Sequence, residues 1–243
     1  MSELGNVLRA RIAEGRVVGT FLKLAATETI DLAAAHLDFA VVDLEHSQLD
    51  DGSAGRLVRH ARALGFPAVV RVAWPERERI NRLLEAGAAG IQLSTVRRAE
   101  SVRRLRHAMS YAPHGARSIS LGQPAAGYGA VELRSFLDAQ GDGALLVAQI
   151  ETAITDDPLP QIAAERPDVL FIGPMDLTVD LRQDRDRVKA RIDEIIAVAA
   201  DAGIALGGAG VQAPAIRYDV IGSDIAMLRA GFARTAVNPV TSP

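Results

Sequence analysis

Eight short apolar runs recur along the 243 residues, with helix-like stretches between them, and this alternation is what most narrows the fold. The runs are VVGTFLKL (17–24), FAVVDLE (39–45), PAVVRV (67–72), GIQLST (90–95), LLVAQIE (145–151), VLFIGP (169–174), IALGGAG (204–210) and IAMLRAG (225–231). The third, fifth and sixth are continuous rather than alternating, which suits parallel strands covered on both faces. Between the sixth and seventh, Val188, Ile192, Ile195, Ile196 and Ala199 fall on one stripe of a helix. PERERINRLLEAG opens on Pro75 and closes on Gly87, the expected start and stop of another. Eight such units in a chain near the ~250 residues usual for the architecture predict an α/β fold, a (β/α)8 TIM barrel forming one domain over 1–243. The competing arrangement is an open doubly wound sheet. No GxGxxG follows the first run, however, and GGAG (207–210) lacks the GxxxxGK[ST] pattern, so neither nucleotide fingerprint is present. PHGARSISLGQPAAGYG (113–129) is the one long connection, and it is expected over the active face because connections of this length are uncommon unless functional or disordered.

With only 4% aromatic residues, the core rests mainly on Ala, Val, Leu and Ile. The absence of cysteine excludes thiolate nucleophiles, Cys-bound zinc and iron–sulfur clusters. A net charge of −3 gives no global field to recruit nucleic acid. No run approaches the ~20 apolar residues of a membrane span, and MSELGNVLRARIAEG at the start carries no apolar h-region. A cytoplasmic protein without nucleic-acid or membrane partners is expected. The basic stretch RRAESVRRLRHAM (97–109) places Val102, Leu105 and Met109 on one stripe and its arginines largely elsewhere, which reads as a solvated outer face.

The second run, VVDLEHSQLD (41–50), is unusual in ending on Asp43, Glu45 and His46. In a barrel of this type the C-terminal strand ends and the loops after them form the active face. Other runs end in the same way: Arg71 in the third, Gln149 and Glu151 in the fifth, Asp176 just past the sixth. Taken singly, a carboxylate there caps a helix and an arginine makes a structural ion pair. Convergence at one end of one barrel points instead to a site. Glu151 and Asp176, on neighbouring strands, suit a hard divalent cation such as Mg²⁺. The turn at Gly173-Pro174 leaves following N–H groups for a carboxylate. An arginine offers two parallel donors to an enolate oxygen, and Asp43 could orient His46.

Together, VVDLEHS (41–47), VVRV (69–72), AQIET (148–152) and FIGPMDLT (171–178) resemble the HpcH/HpaI aldolase family, metal-dependent class II pyruvate aldolases on a (β/α)8 barrel. The resemblance runs from about Gly19 to about Gly231. It implies Mg²⁺, Mn²⁺ or Co²⁺ held by Glu151 and Asp176, with His46 as catalytic base through a water and Asp43 supporting it. It also implies that Arg71 stabilises the enolate and that Gln149 sits beside the metal. Backbone N–H groups near Gly173, Pro174 and Met175 would take the substrate carboxylate, and Phe21 would line the pocket; Ser94, where this chain departs from the family's VP[MH]V after the fourth run, is a further substrate-binding candidate. Glu85 matches an acid that reaches a neighbouring subunit's site, and Arg117 matches a loop arginine. The implied activity is 2-keto acid aldol cleavage or condensation through a pyruvate or oxaloacetate enolate. Shortened members imply an alternative, a citrate-forming condensation of oxaloacetate with an acyl-CoA, and a non-catalytic keto-acid-binding barrel is a third reading. GFARTAVNPVTSP (231–243) is a short tail over 232–243 without room for the long helix that relatives exchange, so a homo-oligomer is expected as a dimer or trimer rather than a domain-swapped hexamer.

Overall fold

The computed structural model describes residues 3–138 and 143–235. Eight parallel strands close into a barrel in sequence order: β1 (Val17–Leu22), β2 (Phe39–Asp43), β3 (Ala68–Val72), β4 (Gly90–Leu93), β5 (Leu145–Ile150), β6 (Val169–Ile172), β7 (Ala205–Ala209) and β8 (Ile216–Ser223). The helices are α1 (Glu3–Glu14), α2 (Glu28–Ala34), α3 (Asp51–Ala63), α4 (Arg77–Ala86), α5 (Ala99–Met109), α6 (Leu133–Asp138), α7 (Leu159–Ala164), α8 (Pro174–Asp180), α9 (Arg185–Ala202) and α10 (Asp224–Thr235). This is the predicted (β/α)8 barrel.

Two apolar layers follow from strand alternation. Outward-facing Val42, Val70, Ile91, Ile150 and Ile172 pack under the helices. Inward-facing Val41, Val69, Val147, Val169 and Val220 fill the barrel with Phe39, Phe171 and Tyr218. Phe39 and Tyr218 stack with ring centroids 4.2 Å apart. That stack explains a glycine in the middle of β1: a Cβ on Gly19 would lie 2.5 Å from the Phe39 ring. Helix α1 closes the end where the strands begin, burying Leu8 and Ile12 in the same inner layer. Each such side chain contributes about 1.5–3 kcal/mol.

Helices start and stop as their sequences dictate. Asp50 accepts the Ser53 N–H at the start of α3, and Asp184 accepts the Arg187 N–H at the start of α9. Gly87 and Gly203 end α4 and α9 in the left-handed conformation. On α5, Val102, Leu105 and Ala108 are buried while Arg103 and Arg104 pair outside with Glu100.

One expectation is corrected. The run 225–231 is not a strand. The eighth strand is Ile216–Ser223, and 225–231 lies inside α10. A helix therefore does follow the last strand: residues 232–235 of the expected short tail complete α10, and 236–243 lie outside the described residues. The segment 113–129 packs along α4. Arg77 Nη1, at the start of α4, reaches the Ser118 hydroxyl at 3.4 Å, and the 3-10 turns over Pro124–Gly129 pack against α4.

Candidate active site

Strand pairing brings the inward polar residues to one end of the barrel. Asp43 pairs in register with Arg71, and Arg71 with Gln92. Gln149, two residues above the Val147 partner of Gln92, joins them. All four are buried.

Asp43 is the hub. Its carboxylate accepts Arg71 Nε at 2.9 Å and Arg71 Nη2 at 2.6 Å. It also accepts the backbone N–H groups of Glu45 and His46, both at 3.1 Å, and Lys23 Nζ lies 3.1 Å away. Burial opposes ionisation, but these partners, Arg71 foremost, outweigh it and bring the Asp43 pKa down to about 2. The Arg71 guanidinium is fixed from a second direction by the Phe21 ring, 4.4 Å from its carbon. Nε and Nη2 are committed to Asp43, which leaves Nη1 as the donor not engaged by another described residue.

Asp43 thus holds Arg71 and the turn after β2, and it meets His46 through the main chain rather than the imidazole. The group facing the ring is Glu45, with Oε2 3.8 Å from His46 Nε2 and 3.4 Å from Arg71 Nε. The His46 side chain is 54% exposed, open to an incoming molecule. Ser94 donates to Glu45 Oε1 at 2.6 Å, so it braces Glu45 rather than lining open space.

Glu151, one residue past β5, is buried without a cationic partner among the described residues. Its Oε1 accepts the Thr95 N–H at 2.6 Å and the Thr95 hydroxyl at 2.7 Å, and Gln149 Nε2 donates to Oε2. Gln92 Nε2 in turn donates to Gln149 Oε1 at 2.5 Å. Burial pushes the Glu151 pKa up, these hydrogen bonds oppose it, and the Glu45 charge adds to the rise. Gly173 sits opposite: a Cβ there would lie 2.5 Å from Glu151 Oε2. Three residues on, Asp176 is exposed in the first turn of α8. Among the described residues no group of three or more His, Cys, Asp or Glu is arranged to hold a metal. A cation here would rest on two carboxylates and water, the pattern of a hard ion. An under-neutralised buried carboxylate after β5 and an exposed one in the first turn after β6 fit that donor set.

Of the backbone donors expected for a substrate carboxylate, Gly173 N–H is spent on Ile150 O at 3.0 Å and Pro174 has none. Met175, itself 76% exposed, is the member of the trio with an N–H left over in the first helical turn. Glu85 and Arg117 stand apart from this group. Glu85 ends α4, near the strand starts, where it accepts Asn81 Nδ2 at 3.1 Å. Arg117 stacks over Tyr111 at 4.5 Å close by. Sequence reasoning gave no role to Glu45 and missed Gln92, Thr95 and Lys23. Gln92 carries a signal, a lone amide between Ile91 and Leu93 facing the same way as Arg71. Thr95 takes a left-handed φ of 49° that a Ser-Thr pair does not announce.

A closed parallel barrel with an arginine, a histidine and several carboxylates converging at the C-terminal strand ends defines an enzyme of the (β/α)8 class, with its chemistry at that face. The chain belongs to the HpcH/HpaI aldolase/citrate lyase family, whose pattern matches residues 18–230, and relatives in it are carbon–carbon lyases of the aldolase type. It is 31% identical over 220 residues to a hydroxypyruvate/pyruvate aldolase of Paraburkholderia phytofirmans, covering 85% of this chain and 84% of that one. Its fold matches a HpcH/HpaI aldolase/citrate lyase family protein from Burkholderia cenocepacia J2315 with a TM-score of 0.85 at 24% identity, over 95% and 97% of the two chains. It also matches the citrate synthase SbnG with a TM-score of 0.81 at 24% identity, over 93% and 94%. Those two likenesses speak to fold alone.

Proposed function

We propose that the protein is a divalent-metal-dependent aldolase that makes or breaks a carbon–carbon bond next to a 2-keto acid, with a pyruvate-type enolate as the intermediate. The observation that carries this is the Arg71–Asp43 pair, which aims a buried, fixed guanidinium at the same end of the barrel as Glu151 and Asp176. The aldolase relatives support the 2-keto acid over an acyl-CoA condensation.

In the cleavage direction a base takes the proton of the 4-hydroxyl, the C3–C4 bond breaks, an aldehyde leaves and the electron pair of the broken bond stays on the enolate. The enolate then takes a proton at C3. Arg71 faces the oxygen that gains charge, and its fixed geometry needs no reorganisation as the charge develops. His46, exposed and backed by Glu45, moves the proton. Met175 N–H receives the substrate carboxylate. Glu151 and Asp176 hold Mg²⁺, Mn²⁺ or Co²⁺, which supplies Lewis-acid polarisation of the keto oxygen when bound.

A cytoplasmic homo-oligomer is the working form. Helix α10 is apolar and almost wholly uncovered, with Phe232 71% exposed beside Ile225, Met227 and Leu228. Between it and α2 lies a groove of about 700 Å³ that includes Leu32 and Ile221. Apolar helices of this kind are covered in a stable assembly, so oligomers form through α10 as well as the barrel flank. Glu85 and Arg117 then serve a neighbour's site.

The test is deuterium exchange at the pyruvate methyl group, followed by NMR with Mg²⁺ or Mn²⁺. Exchange that stops with EDTA and returns with metal supports the proposal. Full exchange by metal-free protein, or none under any condition, defeats it.

A further inference from the structure

Lys23 has no part in the chemistry above, yet it sits at its centre. It follows β1 directly, and its ammonium spans two elements of the catalytic turn. Nζ donates to the main-chain carbonyl of His46 at 2.9 Å and lies 3.1 Å from Asp43 Oδ2. The peptide that carries Lys23 is held as well. The buried carboxylate of Asp224, the first residue of α10, accepts Lys23 N–H at 3.0 Å, Leu24 N–H at 3.0 Å and its own neighbour Ile225 N–H at 2.7 Å. A continuous path of hydrogen bonds therefore runs from the start of α10, through the end of β1, to the turn bearing Glu45 and His46.

We propose that Lys23 is a positioning residue for His46, fixing the 44–47 turn by joining the His46 carbonyl to Asp43, with Asp224 anchoring the backbone from which it reaches. The inference rests on the reading of His46 as the proton-transferring group. The physical case is one of constraint. The turn has a tie to the barrel floor through Asp43, which accepts the N–H groups of Glu45 and His46. Lys23 supplies the tie to the carbonyl side, on the 46–47 peptide, so the peptides on both sides of the His46 Cα are held, with the Ser47 hydroxyl bonded to the Asp43 carbonyl beyond them. The imidazole projects from that Cα and is itself largely uncovered, so its placement depends on the main chain. Displacement of a reacting group by about 1 Å can cost on the order of 10²-fold in rate.

The experiment compares wild type, Lys23→Met, Lys23→Arg and Asp224→Asn, with His46→Ala as the control for the underlying reading. Each is loaded with Mn²⁺ and assayed for pyruvate methyl exchange, taking kcat and KM separately. Lys23→Met should lower kcat by about 10- to 100-fold while KM for pyruvate moves less than about threefold. Lys23→Arg, which keeps a donor to both oxygens, should recover most of the loss, and Asp224→Asn should fall between. Melting curves establish that each variant is folded. A folded Lys23→Met variant with wild-type kcat overturns the positioning role, as does a loss confined to KM. Borohydride trapping of pyruvate on Lys23 overturns it too, because the side chain would then be a nucleophile. If His46→Ala keeps the wild-type exchange rate, the reading of His46 fails by itself, whatever the Lys23 variants do.

Discussion

Arg71 and Asp43 face each other across the β2–β3 ladder and meet through two bonds, Nε to Oδ1 at 2.9 Å and Nη2 to Oδ2 at 2.6 Å. Register and side-chain geometry thus agree: neighbouring strands present the two groups at one level, and the fork of the guanidinium matches the carboxylate. What the pair fixes is the direction in which the remaining Nη1 points.

Arg71→Lys should therefore behave as a loss, not a conservative change. An ammonium keeps the charge but cannot hold two carboxylate oxygens in one plane and present a third donor. Pyruvate methyl exchange should fall by about 10²- to 10³-fold, with secondary structure by circular dichroism unchanged. Exchange within a few-fold of wild type would show that Arg71 does not face the enolate.

Acid should unfold the protein partly through Asp43. Its pKa is about 2 in the folded chain, against roughly 3.9 for an unfolded aspartate. A depressed folded value means the unfolded chain takes up the proton first. The stabilisation is full above about pH 4 and disappears as pH falls through 2. It amounts to about 2 kcal/mol for this one group. Urea midpoints measured from pH 6 to pH 2 should show that loss, and Asp43→Asn should flatten it from a lower starting stability. A variant with the wild-type pH slope would remove Asp43 from the explanation.

Gly173→Ala should act on the metal site before the fold. The added methyl would lie 2.5 Å from Glu151 Oε2 and 2.7 Å from Glu151 Cβ, so the carboxylate is displaced. Isothermal titration with Mn²⁺ should register about a tenfold or greater loss of affinity. Glu151→Gln should bind no Mn²⁺ at the site yet be at least as heat-stable as metal-free wild type, because it removes a charge whose ionisation burial disfavours. Unchanged Mn²⁺ affinity in both variants would place the cation elsewhere.

Phe232→Glu should weaken assembly. Phe232 is exposed on α10 beside the groove against α2, and a carboxylate there would be buried unpaired in any interface covering that face. Sedimentation should show a smaller species at micromolar protein. An unchanged oligomer would leave α10 outside the interface.

Seven of the eight strands are legible because strands covered on both faces read as short apolar runs. The eighth fails that rule. Ile216–Ser223 interleaves exposed Arg217 and buried Asp219, which pairs with Arg16, among its apolar residues. The more apolar 225–231 stands out instead. Its apolarity belongs to α10, a helix that its own barrel leaves uncovered, so a pattern that usually marks burial within a chain here lies on the surface. The site was legible as a set of residue types and less so as a set of contacts. Asp43 and His46 lie three apart, which invites pairing them, but the pleat sends the Asp43 carboxylate inward to Arg71. Glu45 takes the place facing the imidazole. The long 113–129 segment carried the mark of a functional loop, and its packing along α4 depends on tertiary contacts that spacing does not encode.

The seam between β1 and β8 has a consequence for how the chain reaches this state. Val17 pairs with Tyr218, and Lys23 N–H meets Asp224 across 201 positions of sequence. Every other strand pair joins neighbours in the chain, so the barrel can grow strand by strand as the polypeptide leaves the ribosome. The last ladder cannot form until the far end has been synthesised. Until then β1 presents an unpaired apolar edge, the feature that templates aggregation. Synthesis at about 5–20 residues per second leaves that edge open for roughly ten seconds or more. Closure of the β1–β8 ladder, joining the first strand to the last, is then the step that removes this edge.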